Sequence, residues 1–322
     1  MVRVVSIGII ALLVGAGRLF FFPLHLERPP LAAPSEVNKE TEPARLLFVG
    51  DMFFDRSIRT TAEQKGYDYL LSCVKDRLLS YDAVVGNLEG PVTDKKSVSV
   101  GSFLGSWQNF TFTFAPDVAP LLLRHNIRIV DLGNNHIDNM QEEGVLQTRS
   151  YLDKADVGHF GGPVYSRGAG ATSSESIYRT TVQEQKFSFI SYNQFGDLSP
   201  EDTVPLIAAE KKDGRFVVVF SHWGEEYVPP VAAVKRAARL FSNAGADLII
   251  GAHPHVVQGH EQVGDTLVYY SLGNFLFDQF FSEEVSHGLA VDVTVNHGKL
   301  VSTVEYKTTM GKDRRVCFSG DE

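Results

Sequence analysis

The chain has 322 residues, of which 43% are hydrophobic and 21% charged, which is ordinary for a globular protein and sufficient for a large core. Its formal net charge is -9 at pH 7, and the sequence holds no run of lysines and arginines. Because neutralising phosphates requires clustered cations, this composition argues against nucleic acid as a partner.

The N-terminal residues differ in composition from the rest of the chain. Residues 4–17 form an apolar stretch typical of secretory signals, and the apolar residues after Arg18 extend it toward bilayer thickness. No small-residue cleavage pattern follows directly, so residues 1–26 are predicted to be an uncleaved membrane anchor. Cleavage and secretion are the alternative, and a buried core helix is less favoured because a Pro-rich segment follows. Residues 27–44 are predicted to be a flexible linker, and 45–322 a domain outside the cytoplasm, tethered to the cell membrane.

From residue 45 on, apolar strand patterns alternate with amphipathic helical patterns, an order typical of α/β domains. The predicted strands cover residues 45–51, 82–87, 127–134, 176–182, 186–193, 215–223, 247–253, 266–274, 287–296 and 299–308. The predicted helices cover residues 68–79, 117–125, 142–155 and a segment around 234–241 that stops at Gly245. We expect one α/β domain of two stacked sheets flanked by helices, with the last strands forming an antiparallel or mixed second sheet.

The two cysteines, Cys73 and Cys317, have no CxxC spacing. They therefore indicate neither a disulfide framework nor a thiolate metal site. One buried thiol and one thiol in the tail are expected in preference to a bridge between them.

Polar residues recur where the predicted strands end. The set comprises Asp51, Asn87, Glu89, the segment 134–138, His222, His253 and His255. Because the carboxyl ends of strands in α/β sheets meet at one edge, where such folds build their sites, we expect these side chains to lie close together. One Asp, one Glu, one or two Asn and three His suit Mn, Fe or Zn rather than Ca, which prefers oxygen ligands alone. The sequence therefore predicts a divalent metal centre.

The most specific part of this pattern is the sequence HPH at residues 253–255. Alternate residues of an extended segment point to the same side, so His253 and His255 are predicted to face one ion. Taken singly, the other residues have simpler explanations. Asp51 could be a helix cap, Glu89 a solvated turn carboxylate and His222 a structural histidine. The metal prediction depends on their joint occurrence.

Six motifs occur in an order that carries a family resemblance. They are GDMFFDR (50–56), GNLEGPVT (86–93), GNNH (133–136), SHWGEEY (221–227), GAHPHVVQG (251–259) and SLGNFLFDQ (271–279). Together they resemble the ordered motifs of CapA-type capsule (poly-gamma-glutamate) synthesis proteins. The resemblance implies a variant of the calcineurin-like metallophosphoesterase fold, a four-layered αββα sandwich of two mixed sheets. It also implies a role at the cell envelope in the synthesis, export or anchoring of poly-gamma-glutamate or a similar polymer.

The resemblance also assigns roles to individual residues. The metal-ligand positions are matched by Asn135, His222, His253 and His255, and the general acid by His136. Two usual ligands are changed: Phe53 stands two residues after Asp51, and Asn87 stands where a bridging Asp is usual, with Glu89 as a replacement carboxylate. The expected site is therefore mononuclear or an incomplete dinuclear one. The Asp that commonly follows NNH in the family corresponds in register to Asn139, with Asp138 one residue early.

If the protein is an enzyme, the metal would lower the pKa of a bound water toward neutrality for attack on a phosphoryl group or an amide carbonyl. His136 would then protonate the leaving group. Arg56 and Glu226 are predicted to contact substrate, with an ordinary surface arginine as the alternative for Arg56. Trp223 and Tyr227 are predicted to line the cleft or, alternatively, to pack in the core.

Two functions remain open on the sequence. The first is a metal-dependent hydrolase or transferase acting on a phosphoester or on the gamma-amide bonds of the polymer, and the second is a non-catalytic polymer-binding or export component. A general metallophosphoesterase is a further alternative. The expected partners are the capsule polymer or a phosphoester substrate, together with membrane-bound components of capsule synthesis.

Overall fold

The structure is a computed structural model that describes residues 42–163 and 175–320. The predicted anchor over residues 1–26 and most of the predicted linker lie outside the described residues. Among the described residues, no helix has both the length and the apolarity needed to cross a membrane.

The described residues form fourteen strands and six α-helices. The strands are β1 (Ala44–Met52), β2 (Ala83–Leu88), β3 (Ile127–Asp131), β4 (Gly158–Phe160), β5 (Ile177–Val182), β6 (Gln185–Asn193), β7 (Phe216–His222), β8 (Leu248–Ala252), β9 (Val257–Val263), β10 (Thr266–Leu272), β11 (Asn274–Leu276), β12 (His287–Asn296), β13 (Lys299–Met310) and β14 (Val316–Phe318). The helices are α1 (Arg56–Lys65), α2 (Lys75–Leu78), α3 (Val118–Arg124), α4 (Gln141–Lys154), α5 (Pro200–Lys212) and α6 (Ala232–Ala244). Three 3₁₀ turns cover Tyr67–Leu71, Trp107–Phe110 and Glu284–Ser286.

Two mixed sheets form the centre of the domain. The first has the order β14-β13-β12-β1-β2-β3-β4, with β11 also paired to β1, and the second has the order β5-β6-β7-β8-β10-β9. In the first sheet β1 to β4 are parallel, and in the second β6, β7, β8 and β10 are parallel. The parallel strands are buried on both faces, which explains their near-continuous apolar sequences.

Three apolar clusters separate the layers. One lies between the sheets and joins Phe48 and Val85 of the first to Phe189 and Val218 of the second. A second joins the outer face of the first sheet to helices α1 to α4, and a third joins the outer face of the second sheet to α5 and α6. The fold is therefore the four-layered αββα sandwich expected from the sequence.

The sequence analysis expected the last strands to form the second sheet, and this expectation is wrong. Strand β10 joins the second sheet, whereas β12, β13 and β14 extend the first sheet beyond β1 in antiparallel fashion. The polar turn at Asn296 to Lys299 fixes the β12–β13 hairpin but carries no information on which sheet the hairpin joins.

The predicted helix over residues 68–79 is also wrong. The segment consists of the 3₁₀ turn Tyr67–Leu71 and the single-turn helix α2, and Cys73 lies between them. Cys73 forms a disulfide with Cys317 of β14, with 5.1 Å between the two Cα atoms. The expectation of two unpaired thiols is therefore wrong as well, because the β13–β14 pairing brings the C-terminal strand to this segment.

Candidate metal centre

The candidate site lies where strands of both sheets end. Asp51 and Asn87, near the ends of β1 and β2, are directly paired in register and fully buried. His222 is the last residue of β7, and His253 follows the neighbouring strand β8. The parallel directions of these strands bring to one edge the residues that the sequence placed at strand ends.

A close backbone approach fixes the position of Asp51. The amide of Asp51 donates to the carbonyl oxygen of Gly273 at 3.0 Å, and Asp51 is in register with Asn274 of β11. A Cβ atom at Gly50 would lie 1.9 Å from that same carbonyl oxygen. Glycine at position 50 is therefore required for β1 and β11 to meet behind the site.

Asp51, Glu89 and His255 form a compact buried group. One ligand atom from each lies within 4.8 Å of the others. His255 Nδ1 lies 3.0 Å from Asn274 Oδ1 and 3.2 Å from Asp51 Oδ2. Since both neighbours are acceptors, Nδ1 carries the imidazole proton. Its Nε2 lies 3.7 Å from Glu89 Oε1.

Glu89 provides the test of whether this group fits a cation. Its Oε1 is buried and has no hydrogen-bond partner among the described residues. Burial, followed by the charges of Asp51 and Glu226, raises the pKa of Glu89 well above its ordinary value. Two carboxylates and an imidazole lone pair, with one buried oxygen unsatisfied, are a donor set that fits a divalent cation.

His222, His253 and Asn135 form a second group near Asp51, whose Oδ2 accepts from the His253 amide at 3.3 Å. The rings of His222 and His253 have centroids 4.8 Å apart, and His222 Nε2 lies 2.9 Å from Asn135 Oδ1. Burial lowers the pKa of His222 well below its ordinary value, and burial together with His255 lowers that of His253 to about 4. Both rings are therefore neutral at pH 7, the form that binds metal, and His253 Nδ1 has no hydrogen-bond partner among the described residues.

The two histidines of the HPH sequence do not converge through an extended backbone. Their φ angles are 94° at His253 and 58° at His255, in the left-handed region. His253 lies beside His222, whereas His255 joins Asp51 and Glu89, and their ring centroids are 6.1 Å apart. The expectation of an extended segment is wrong, although both side chains are buried at the predicted site.

Asn87 connects the two groups. Its Nδ2 donates to Asp51 Oδ1 at 2.8 Å, lies 3.4 Å from Glu89 Oε2 and is 3.3 Å from His222 Nδ1. Its Oδ1 accepts from Asn134 Nδ2 at 3.0 Å. An amide nitrogen therefore lies between side chains that would otherwise present only acceptors to each other.

His136 lies at the edge of this cluster against an aromatic ring. Its centroid is 4.1 Å from that of Phe112, and its Nδ1 lies 3.1 Å from Asn139 Oδ1. The Phe112 amide donates to the same Asn139 oxygen, so His136 Nδ1 carries the proton and Nε2 the lone pair. Burial lowers the pKa of His136 to about 4, so the ring is neutral at pH 7. Asn139 thus orients the predicted general acid without supplying a charge.

The two predicted substrate residues lie in different surroundings. Arg56 donates from Nε and from a terminal nitrogen to Asp278 Oδ1 at 2.9 and 2.6 Å, and its guanidinium lies 4.5 Å from the centroid of Phe53. It is therefore already paired and stacked rather than an ordinary surface arginine. Glu226 is exposed, and its charge contributes to the raised pKa of Glu89.

Aromatic side chains form one wall of the site. Phe53 is fully buried and stacks on Phe277 at 4.5 Å, and Phe277 in turn lies 4.7 Å from the ring of His255. The residue two positions after Asp51 therefore packs in an aromatic cluster instead of offering a ligand. Of the two predicted cleft aromatics, Trp223 is fully buried and donates to the Tyr270 carbonyl, whereas Tyr227 is partly exposed with its ring 6.0 Å from that of His255.

Several residues around the site were not singled out by the sequence analysis. They are Asn274, Asp278, Phe112, Phe277 and Phe195, whose ring lies 4.5 Å from His253. Three of them, Asn274, Phe277 and Asp278, lie in the SLGNFLFDQ motif, which begins at the end of a predicted strand. The position of this motif at the end of a predicted strand was the sequence signal that could have identified these residues.

The sandwich of two mixed sheets, with polar residues gathered at the strand ends, defines the calcineurin-like metallophosphoesterase fold. A solved structure of a Staphylococcus aureus protein, assigned as a 5'-nucleotidase and in complex with alpha-ketoglutarate, matches with a TM-score of 0.51 and 13% identity. The match covers 82% of this chain and 54% of that one. At this identity the likeness supports the fold alone.

The family is given by sequence comparison. The family model described as bacterial capsule synthesis protein PGA_cap matches residues 45–279, and the chain belongs to this family. The chain is 31% identical over 243 residues to the PGA biosynthesis protein CapA of Bacillus subtilis (strain 168), covering 72% of this chain and 63% of that protein. It is 28% identical over 270 residues to the capsule biosynthesis protein CapA of Bacillus anthracis, covering 79% and 64%. The matched part thus spans under two thirds of each relative.

Proposed function

We propose that the protein acts outside the cytoplasm in the synthesis, export or anchoring of poly-gamma-glutamate or a related capsule polymer. Family membership supports a role in capsule synthesis, since the two Bacillus relatives are named for it. The Cys73–Cys317 disulfide supports an extracytoplasmic location, because such bonds persist in oxidising compartments. The apolar N-terminal sequence supports a membrane tether.

We further propose that the site binds a divalent ion, Mn, Fe or Zn, and that the protein is a hydrolase or transferase. The observation that carries this proposal is the buried, unsatisfied Glu89 Oε1, which lies 3.7 Å from His255 Nε2. Asp51, Glu89 and His255 would hold the ion, with His222, His253 and Asn135 beside them. When bound, such an ion supplies Lewis acidity and lowers the pKa of a coordinated water.

The chain's own residues would position and protect the reacting bond. His136 can take up a proton from solvent at Nε2 and donate it to a leaving group, while Asn139 fixes the ring. The aromatic wall of Phe53, Phe112 and Phe277 would exclude water from one side. Arg56 and Glu226 are proposed to contact a phosphoester or a gamma-glutamyl amide. A membrane-bound component of capsule synthesis is proposed to deliver that substrate.

A second candidate function is a non-catalytic polymer-binding or export role. The observation favouring it is the Asn87 amide, which donates to Asp51 Oδ1 and so engages one carboxylate oxygen that a catalytic ion would use. Under this alternative the site would bind its ligand without turnover. Activity against simple phosphoesters alone would instead indicate a general metallophosphoesterase.

Metal content measured by mass spectrometry tests the site directly. The wild-type protein is expected to bind metal, and the His253→Ala/His255→Ala double variant to lose it together with any hydrolysis of phosphoesters or gamma-glutamyl polymers in Mn or Zn. His260→Ala/His287→Ala is the matched control, because both of these histidines are at least partly exposed and lie beside glutamates outside the candidate ligand group, Glu305 and Glu283. A double variant that folds and keeps stoichiometric metal contradicts the ligand assignment, and a metal-free wild type contradicts the enzyme proposal.

The location is tested by fractionation of cells that make the full chain. The protein is expected in the membrane fraction, with its domain accessible to protease added from outside. Full-length protein in the cytosol would contradict the proposed tether.

A further inference from the structure

Residues 97–110, hereafter the 97–110 loop, have an inverted burial pattern. The polar side chains of Ser99 and Asn109 are buried, with residue exposures of 1% and 5%. In contrast, Phe103, Leu104 and Trp107 are exposed by 87%, 93% and 69%. Water-facing loops normally show the opposite arrangement, so the outer surface of this loop is suited to an apolar medium.

The loop has a defined shape built by its own polar groups. Ser97 Oγ accepts from the amides of Ser99 and Val100, both at 3.1 Å. Asn109 Nδ2 donates to Ser102 Oγ at 3.0 Å, and Ser102 Oγ donates to the Ser99 carbonyl at 2.7 Å. These bonds turn the polar side chains inward and leave the apolar side chains on the outer surface of the loop.

The charge distribution of the segment is also unusual. No charged residue or histidine occurs from residue 97 to 116, and the two residues before the loop are Lys95 and Lys96. Lys95 pairs with Glu143 at 2.8 Å, and Lys96 is exposed. An uncharged tip carrying Trp and Phe, with a lysine at its base, is the composition of protein surfaces that enter the interfacial region of a bilayer.

We propose that the 97–110 loop is a membrane-docking surface that inserts Phe103, Leu104 and Trp107 into a lipid bilayer. Phe103 and Leu104 are adjacent and nearly fully exposed, so they form a convex point at the turn. A convex apolar point penetrates lipid more readily than it fills a flat protein interface. The apolar sequence at residues 4–24 points to the same partner. The 27–44 segment has a maximum reach of about 60 Å, so a domain tethered by it stays close to the bilayer.

The root of this loop adjoins the candidate metal centre. Asn109 Oδ1 lies 3.5 Å from a terminal nitrogen of Arg56, and Phe112, just beyond the loop, packs on His136. Docking would therefore hold the site next to the membrane surface. Since the net charge of -9 opposes anionic headgroups, insertion of apolar side chains drives the contact, and we expect little dependence on salt.

The chain has only two tryptophans, which allows a direct test. Trp107 is on the loop, and Trp223 is fully buried. The full chain is mixed with phosphatidylcholine and phosphatidylglycerol vesicles whose acyl chains are brominated, and tryptophan emission is compared with that in unbrominated vesicles. Wild type is expected to be quenched and Trp107→Phe, which retains only Trp223, to lose the quenching.

Substitutions elsewhere on the loop extend the test. Phe103→Ser/Leu104→Ser is expected to lose the quenching of Trp107, whereas Val301→Ser/Val304→Ser, which alters two exposed apolar residues of β13, is expected to keep it. Unquenched Trp107, or quenching that persists in the loop variant, overturns the proposal. Shielding of Trp107 from an aqueous quencher that grows with protein concentration in the absence of lipid would instead identify a second copy of the chain as the partner. The quenching does not depend on bound metal, so it is independent of the proposed chemistry.

Discussion

Replacing both Cys73 and Cys317 by alanine is expected to lower the free energy of unfolding by about 5.5 kcal/mol. The two residues are 244 positions apart, so the bond closes most of the folded domain into one loop. Removing it lets the unfolded chain expand. In the chain-entropy model the loss is about 2.1 + 1.5R ln n cal/mol/K for a loop of n residues, or about 18 cal/mol/K here.

This magnitude is comparable to the whole stability of many domains, which is about 5–15 kcal/mol. It is an upper value, because residual contacts in a denatured chain reduce the entropy that a cross-link removes. The native state itself should change little, since β14 remains paired with β13 through its backbone.

Urea unfolding of three samples measures the effect: oxidised wild type, wild type in dithiothreitol, and the double alanine variant. The last two are expected to unfold at the same, lower midpoint. A thiol count on the denatured oxidised protein serves as the control and should find no thiol. Equal midpoints for the oxidised and reduced protein would refute the reasoning.

Three further predictions concern the site and the fold around it. His136→Ala is expected to leave metal content unchanged and to lower turnover by about 100-fold or more, and loss of metal would contradict a role in proton transfer. Glu210 has a pKa lowered by its hydrogen bond to Arg179, so its contribution to stability is present above its ordinary pKa of 4.5 and is lost as the pH falls below it. The difference in unfolding free energy between wild type and Glu210→Gln should therefore shrink in acid and stay constant at neutral pH, as denaturant titrations would show. Gly50→Ala is expected to destabilise the fold by about 1–3 kcal/mol or more, because the methyl group meets the Gly273 carbonyl; an unchanged melting temperature would contradict this close approach.

The sequence predicts the position of the site because parallel strands share a direction. Asp51 and Asn87 lie near the ends of neighbouring parallel strands of the first sheet, and His222 ends a strand that pairs in parallel with β8 in the second, so each sheet brings its own polar residues to its carboxyl edge. No knowledge of the loops is needed for this inference, and the structure does place these residues together.

Features that depend on contacts between distant segments were not predictable in the same way. The orientation of His255 depends on Asn274, and that of His136 on Asn139, which is also held by the Phe112 amide. The disulfide depends on where β14 pairs, which no local pattern indicates. Helix α1 was missed because it buries only Ile58 and Ala62, so its apolar period is too weak to detect. Helix α5 did carry a detectable signal, the capping box of Ser199 and Asp202.

The backbone at His253 and His255 is left-handed, which favours glycine, whereas the candidate site requires imidazole side chains at both positions. A residue with a Cβ atom in this region is disfavoured relative to glycine by about 1–2 kcal/mol. Glycine would therefore suit the backbone better at both positions while leaving no imidazole at the site. A His253→Gly/His255→Gly protein should bind no ion, and the loss of two buried side chains should offset the relief of backbone strain. The backbone strain at these two positions is therefore tied to the imidazoles, and strain of this kind clusters at functional sites.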